Sequence, residues 1–183
     1  MQFHPTPVHG VWRITQFSAE DARGVFVKTF HRSRFQEAGI DFTCRESFYS
    51  VSVKDVIRGL HFQHPPHDHA KIVFCPSGAI LDLALDIRLG SPTYGQSVSA
   101  ELSAANREAL YIPPGFAHGF RALTNDALTY YLVSSENHPP SDDGIRFDSI
   151  GFNWGTAQPV VSARDLAFPA LSEFISPFVY LPS

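Results

Sequence analysis

Hydrophobic and polar residues alternate one by one in many short stretches of this chain. The clearest stretch covers residues 80–88, where leucine or isoleucine stands at positions 81, 83, 85 and 87, with Asp82, Ala84 and Asp86 between them. A period of two predicts a β-strand, because successive side chains of a strand point to opposite faces. Strands are also predicted at residues 11–14, 25–30, 48–53, 56–63, 71–75, 97–102, 109–112, 117–123 and 127–133.

Turn-forming residues separate these strands at short intervals. Many short strands with little helix predict an all-β sandwich or barrel, and a double-sheet jelly roll, a double-stranded β-helix, fits best. The last two strands are predicted to form a hairpin around Asn125 and Asp126. A short helix is predicted at residues 33–39, with Ser33 as N-cap and Gln36 completing a capping box. A second is expected near Asp165.

Composition narrows the class of protein. A hydrophobic content of 44% in 183 residues predicts one globular domain, residues 1–183, rather than a disordered chain. The net charge of −4 disfavours a general nucleic-acid binder. No apolar run approaches the roughly 20 residues that cross a bilayer. The N-terminal sequence does not resemble a signal peptide, so we expect a cytoplasmic protein.

Two cysteines, Cys44 and Cys75, lie in apolar, strand-like surroundings. Two cysteines in a chain of this length do not form a disulfide framework. We therefore expect both to be reduced, buried thiols.

Basic and imidazole side chains concentrate in residues 58–71, whose sequence is RGLHFQHPPHDHAK. Such a cluster could bind a metal, transfer protons or bind an anion. For a metal, His67, His69 and His118 could supply three imidazoles, and residues 114–118 have the Pro-Gly-x-x-His form of a cupin metal motif. The glutamate that usually follows the first two histidines is absent, and a cation at Lys71 is repulsive to a metal. We expect no metal and no cofactor, and a metal-dependent cupin oxygenase or isomerase is the alternative.

Proton transfer accounts for the presence of Lys71 better than metal binding does. Removing a proton next to a carbonyl needs a base, a donor for the developing enolate oxygen and an acid that returns the proton. His61, Lys71 and one of Tyr130 and Tyr131 could fill these roles. On an ideal strand Arg58 and His61 would face opposite ways, unless a β-bulge at the glycine between them re-aims one or Arg58 reaches the ligand from the rim.

Several motifs occur together in a fixed order. They are residues 21–26 (DARGVF), 58–63 (RGLHFQ), 66–71 (PHDHAK), 82–88 (DLALDIR), 91–95 (SPTYG), 111–120 (YIPPGFAHGF), 143–145 (DGI) and 162–165 (SARD). In this order they resemble the dTDP-4-dehydrorhamnose 3,5-epimerase family. The resemblance implies a cupin jelly roll that needs no metal and works as a homodimer. It implies epimerisation at C3, C5 or both of a nucleoside-diphosphate-4-keto-6-deoxyhexose, in deoxysugar biosynthesis.

The resemblance also implies catalytic roles. His61 matches the base and Asp165 its carboxylate partner, which would fix the imidazole tautomer. Tyr131 matches the proton donor on the opposite face of the sugar. Lys71 and His118 match residues that can stabilise the enolate at C4.

Binding roles follow from the same resemblance. Arg23, Arg58 and Arg164 match contacts to the diphosphate and its surroundings. Phe26 matches a residue that packs on the base and comes from the partner subunit. Asp142 aligns with an acidic residue that contacts the ligand.

Four positions depart from the family pattern: Lys28, Glu46, Phe48 and Asn137 stand where the family usually has Glu, Gln, Asn and Tyr. These positions surround the nucleotide end of the family's pocket. They suggest a nucleotide other than dTDP, such as CDP or GDP. Two further alternatives are an epimerase of one centre only and a sugar-nucleotide binding cupin without catalysis.

Overall fold

Two antiparallel β-sheets account for most of the computed structural model, which describes residues 1–182. The six-stranded sheet has the order β1-β2-β10-β7-β12-β5, and the five-stranded sheet has the order β13-β6-β11-β8-β9. Strands β3 and β4 pair only with each other. The strands are β1 Gln2–Pro5, β2 Trp12–Thr15, β3 Phe17–Asp21, β4 Gly24–Lys28, β5 Glu46–Ser52, β6 Ile57–Gln63, β7 Lys71–Ser77, β8 Ala79–Asp86, β9 Ser97–Ser103, β10 Glu108–Ile112, β11 Phe116–Ala122, β12 Ala127–Val133 and β13 Asp142–Gly144.

The helices are short. They are α1 Arg32–Glu37, α2 Ala163–Leu166 and two 3₁₀ turns at Pro139–Ser141 and Leu171–Glu173. None of the helices in residues 1–182 has the length and apolar character needed to span a bilayer. The predicted all-β jelly roll with a few short helices is confirmed. The single-domain assignment stays a prediction, and its last residue, Ser183, lies outside the described residues.

Both faces of the central strand β8 are buried. Ile80 and Ala84 face the core between the two sheets, together with Val73 and Phe120 from neighbouring strands. The alternate side chains, including Leu83, pack on the opposite side against the segment that follows β13. The residues that alternate with period two therefore belong to a strand that is buried on both faces. Asp82 and Asp86 are buried in this strand as well.

Helix α1 begins differently from the sequence prediction. Its N-cap is His31, which has extended backbone and makes no side-chain cap, so the capping box of Ser33 and Gln36 is wrong. The helix is stabilised instead by packing, because Phe35 is buried against Phe42 and other aromatic rings. The helix near Asp165 is confirmed: the Ser162 hydroxyl accepts a hydrogen bond from the Asp165 amide at 3.0 Å.

The predicted hairpin of the strands at residues 117–123 and 127–133 is wrong. Strand β11 pairs with β6 and β8, whereas β12 pairs with β5 and β7 in the other sheet. The turn at Asn125 and Asp126 therefore carries the chain from one sheet to the other. Asn125 is held there because its Oδ1 accepts a hydrogen bond from the Lys54 amide at 3.1 Å.

The β-bulge that the sequence allowed is present in β6. His61 lies opposite His118, and Arg58 lies opposite Phe120, so β6 has one residue more than β11 over this interval. Gly59 adopts a φ of +126°, and a Cβ at this position would lie 2.6 Å from the Gly119 Cα. Glycine is required here, because a side chain has no room and the conformation disfavours other residues.

Both cysteines are free thiols, but only Cys75 is buried. Cys44 is exposed, which corrects the prediction of two buried thiols. It lies outside the strands, just before β5, and its Sγ donates to the Glu46 carbonyl at 3.4 Å.

Candidate active site

A cavity of about 380 Å³ lies between the two sheets. Most of the predicted site residues line it, namely Glu46, Phe48, Arg58, His61, Lys71, His118, Tyr131 and Asp142. The five-stranded sheet contributes the two histidines, and the six-stranded sheet contributes the lysine and the tyrosine. The ionisable groups therefore approach a bound molecule from two opposite walls.

His61 and Asp165 form a hydrogen-bonded pair. The His61 Nε2 lies 2.9 Å from Asp165 Oδ1, and the Gly59 amide donates to Asp165 Oδ2 at 3.0 Å. Burial raises the pKa of Asp165, but the hydrogen bonds from His61 and Gly59 outweigh it, and the pKa lies below its usual value. The ionised carboxylate accepts a hydrogen bond from the Nε2–H group of the neutral imidazole. In this tautomer Nδ1 carries no proton. Within residues 1–182, Nδ1 has no hydrogen-bond partner.

Tyr131 lies on the opposite wall. Its ring stacks on Phe48 with centroids 4.7 Å apart and meets the His118 ring edge-on at 5.9 Å. Burial, and then the charge of Asp82, raise the pKa of Tyr131 well above its usual value. The phenol therefore keeps its proton at neutral pH. Its neighbour Tyr130 packs on Phe74 outside the pocket, so Tyr131 is the member of the pair that faces the cavity.

Lys71 bridges the two sheets. Its Nζ donates to the carbonyl of His61 at 3.1 Å. Burial lowers the pKa of Lys71 to about 8, while Asp142 and Asp82 partly oppose this change. A buried ammonium ion with a lowered pKa is a strong hydrogen-bond donor in an environment of low dielectric constant.

His118 forms a second histidine–carboxylate pair, with Asp82. Its Nε2 lies 2.7 Å from Asp82 Oδ1, and both side chains are buried. Burial lowers the pKa of His118 despite the opposing charge of Asp82, so the imidazole is neutral. The sequence analysis gave Asp82 no role, although a carboxylate within a strand of buried apolar residues is a signal that could have identified it.

Arginine side chains lie near the rim of the pocket. Arg58 lines the cavity and donates from Nε to the Ser52 hydroxyl at 3.1 Å. Arg164 donates to Asp142 Oδ2 at 2.8 Å. The bulge in β6 lets Arg58 and His61 line the same cavity, although they are three residues apart.

Three predicted binding residues lie elsewhere. Arg23, Phe26 and Lys28 belong to the β3–β4 hairpin, where Arg23 pairs with Asp21 at 2.6 Å. Phe26 is 59% exposed, and none of the three lines the pocket of its own chain. A second subunit that receives Phe26 stays a prediction.

The three histidines of the metal alternative are engaged separately. The His67 ring stacks on His138 at 3.6 Å, the His69 Nδ1 lies 3.0 Å from the Gln63 amide nitrogen, and His118 binds Asp82. Across residues 1–182, no three His, Cys, Asp or Glu side chains are arranged to hold a metal ion.

The fold and the pocket together define a cupin-type jelly roll with His61 and Tyr131 on opposite walls of one cavity. Comparison with known proteins agrees. A model of the dTDP-4-dehydrorhamnose 3,5-epimerase family matches residues 5–173. The chain belongs to this family, and its predicted class of enzyme, an isomerase, is confirmed.

Individual relatives match over most of their length. The dTDP-4-dehydrorhamnose 3,5-epimerase of Salmonella typhimurium is 40% identical over 157 residues, 84% of this chain and 86% of that protein. A dTDP-4-dehydrorhamnose 3-epimerase of Streptomyces niveus is 38% identical over 168 residues, 90% of this chain and 81% of that protein.

A solved structure matches nearly the whole chain. It is the dTDP-6-deoxy-D-glucose-3,5-epimerase of Legionella pneumophila Philadelphia 1 in complex with dTDP-4-keto-L-rhamnose. The TM-score is 0.94 at 33% identity, over 99% of both chains.

Proposed function

We propose that this protein epimerises a dTDP-linked 4-keto-6-deoxyhexose. The observation that carries the proposal is the placement of His61 with its Asp165 partner on one sheet and Tyr131 on the other, across one cavity. An epimerase must remove a proton from one side of a carbon and return it from the other side. The names of the relatives favour dTDP over the CDP or GDP that the sequence suggested.

The reaction begins with proton abstraction. The ketone at C4 acidifies the hydrogens at C3 and C5, and the unprotonated Nδ1 of His61 accepts one of them. Asp165 holds the imidazole in the required tautomer and stabilises the imidazolium that forms. Since Asp165 is buried and ionised, this stabilisation acts at low dielectric constant.

The negative charge that develops on the C4 oxygen is stabilised by Lys71. Its ammonium group is the buried cation of the pocket wall. The Nε2–H group of the neutral His118 donates a hydrogen bond to Asp82. Its Nδ1 therefore carries no proton and accepts hydrogen bonds rather than donating them. We therefore assign enolate stabilisation to Lys71 and give His118 the role of a hydrogen-bond acceptor for a substrate hydroxyl.

Tyr131 completes the reaction by donating its phenolic proton to the opposite face of the carbon. Its raised pKa keeps the proton in place until the enolate forms. The His61 imidazolium then releases its proton to solvent and the Tyr131 phenolate regains one, so that both groups return to their starting states.

Deuterium exchange separates the two half-reactions. In D₂O the Tyr131→Phe variant should still exchange the α-hydrogen of the substrate, because His61 is intact, but should form little epimer. The His61→Ala variant should lose exchange and epimerisation together. Wild-type exchange by His61→Ala would show that another group is the base.

The nucleotide is tested by titration with dTDP, CDP and GDP. Two of the residues that depart from the family pattern touch each other, since the Asn137 amide donates to Glu46 Oε2 at 2.6 Å in the pocket wall. We expect dTDP to bind most tightly. Preference for CDP or GDP would restore the hypothesis that these residues select a different nucleotide.

A single-centre reaction is the second candidate, because one relative is named a 3-epimerase. Counting the deuterated carbons of the product by NMR after turnover in D₂O distinguishes the two. Deuterium at C3 and C5 indicates a 3,5-epimerase, and deuterium at one carbon indicates a single-centre enzyme.

A further inference from the structure

His69 lines the active-site cavity, but the mechanism above gives it no role. It belongs to the histidine-rich segment and is half-buried between the loop and the cavity. One ring nitrogen, Nδ1, has protein partners, while Nε2 has none within residues 1–182. The hydrogen bonds around this imidazole determine which of its two ring nitrogens carries the proton.

The side-chain amide of Gln63 has a fixed orientation. Its Oε1 accepts a hydrogen bond from the His138 backbone amide at 2.6 Å, and its Nε2 donates to the His67 carbonyl at 2.7 Å. Backbone N–H groups only donate and carbonyl groups only accept, so the oxygen and the nitrogen of this amide cannot be exchanged.

The second hydrogen of the Gln63 amide is directed at His69. The distance from Gln63 Nε2 to His69 Nδ1 is 3.0 Å. The other acceptors near this amide nitrogen, the Glu136 carbonyl at 3.3 Å and the Ser135 hydroxyl at 3.4 Å, are farther away. Since the amide nitrogen can only donate, its contact at 3.0 Å makes Nδ1 an acceptor without a proton. The Ser135 hydroxyl lies 3.2 Å from the same Nδ1 and can donate to it or to the His67 carbonyl. The proton of the neutral imidazole is therefore on Nε2. Burial, and then the nearby charge of Lys71, lower the pKa of His69 to about 3, which keeps the ring neutral.

We propose that His69 is a specificity-determining residue whose Nε2–H donates a hydrogen bond to an oxygen of the hexose. This inference rests on the proposed function. His69 precedes Lys71 by two residues and contacts Gln63, and all three side chains line the same cavity, so His69 stands near the group assigned to the enolate. Gln63 is the positioning residue that holds the donor in one tautomer.

Binding of two probes tests the contact. dTDP-glucose has a hexose but no ketone, so it binds without reacting, and dTDP lacks the hexose. His69→Leu should weaken binding of dTDP-glucose about tenfold, the usual cost of one hydrogen bond, and leave binding of dTDP unchanged. His69→Gln, which keeps an N–H donor at similar reach, should bind dTDP-glucose within about threefold of wild type. Equal weakening of both probes, or no weakening, would overturn the contact.

The tautomer is tested in the wild-type protein, without any variant. NMR of ¹⁵N-histidine-labelled protein at pH 7.5 should show His69 protonated at Nε2 and unprotonated at Nδ1. A proton on Nδ1 overturns the inference and leaves the proposed function intact. If the wild-type protein binds neither dTDP nor dTDP-glucose, the proposed function fails, and the proposed hexose contact fails with it.

Discussion

At the scale of single residues, the pocket holds charged and neutral groups that burial keeps in defined states. Asp165 is ionised because hydrogen bonds from His61 and Gly59 outweigh its burial. Tyr131 stays protonated, and the pKa of Lys71 is about 8. In the proposed reaction, these states provide a base that is hydrogen-bonded to a carboxylate, an acid that holds its proton and a cation for a developing oxyanion.

Asp165→Asn tests the pair that activates the base. The asparagine cannot stabilise an imidazolium, and its amide can hold His61 in the wrong tautomer. We expect kcat to fall by roughly 100-fold or more, within the range typical of general-base catalysis. The control is Asp148→Asn, because Asp148 pairs with Arg146 at the surface. A kcat near that of the wild type for Asp165→Asn would contradict the role of the pair.

Lys71→Met tests a conflict between stability and activity. The pKa of Lys71 is about 8 in the folded protein, below the usual 10.5, so the folded state holds this proton less tightly than the unfolded state. The buried charge of Lys71 therefore destabilises the folded protein. This destabilisation is full below pH 8, declines between pH 8 and 10.5 and vanishes above pH 10.5. At pH 7 the variant should gain about 1–3 kcal/mol in free energy of unfolding, after loss of the hydrogen bond to His61.

The same variant should lose nearly all epimerase activity. Urea unfolding at pH 7 and at pH 10 measures the stability gain, which should shrink at the higher pH. Lower stability of Lys71→Met at pH 7 would show that the hydrogen bond outweighs the buried charge. In the wild type, kcat/KM should fall as pH rises through 8, because Lys71 loses its proton.

At the scale of elements, the local sequence pattern predicts where strands occur better than it predicts which strands pair with each other. Period-two alternation identified β8 and its neighbours, and it could not assign β11 and β12 to different sheets, because pairing depends on contacts far apart in sequence. The base and the lysine could be inferred from one segment. Asp165 lies 104 residues after His61 and was found only through the family resemblance. Asp82 was given no role because its partner His118 lies 36 residues further along the chain, and alternation within one strand does not show that contact.

The segment that follows β13 stabilises the sheet that holds His61. Trp154 is 5% exposed, packs with residues of β6 and β8, and donates from Nε1 to the Phe147 carbonyl at 3.1 Å. Trp154→Ala should lower the free energy of unfolding by about 3–5 kcal/mol, because it leaves a large cavity. Ile175→Ala is the matched control: this side chain is 88% exposed, and its loss should change stability by less than about 0.5 kcal/mol. Chemical denaturation measures both, and similar losses would contradict the packing argument.

At the scale of the whole molecule, the β3–β4 hairpin pairs with no further strand of residues 1–182, and Arg107 holds it to the body of the chain through Ser18 and Glu20. It presents exposed apolar side chains, including Phe17, Val25 and Phe26. An exposed apolar hairpin is typical of a surface that another subunit covers. The family resemblance implies a homodimer in which Phe26 packs on the base in the partner's pocket, and we propose that Arg23, on the same hairpin, enters that pocket with it. We expect a solution mass of twice the 20.3 kDa of one chain.

Mixed dimers test whether the hairpin acts across subunits. One subunit carries His61→Asn, and the other carries Arg23→Ala with Phe26→Ala. If the hairpin serves the partner's site, one of the two sites in a mixed dimer contains every wild-type residue. Random pairing of equal amounts makes about half of the dimers mixed, so about a quarter of the wild-type activity returns. If each hairpin serves its own chain, or no dimer forms, mixing the inactive proteins restores nothing. Light scattering of the same samples gives the oligomeric state.

The close approach of Gly59 and Gly119 constrains how this enzyme can evolve. Neither position has room for a methyl group, so the wall that carries His61 and His118 cannot be reshaped by gradual substitution at these points. The opposite wall is less constrained at its edge, where strand β5 ends the six-stranded sheet and Phe48 is exposed. New substrate preferences are therefore expected to arise by mutational drift on β5. The bulged wall, once formed, preserves the positions of His61 and His118 through that drift.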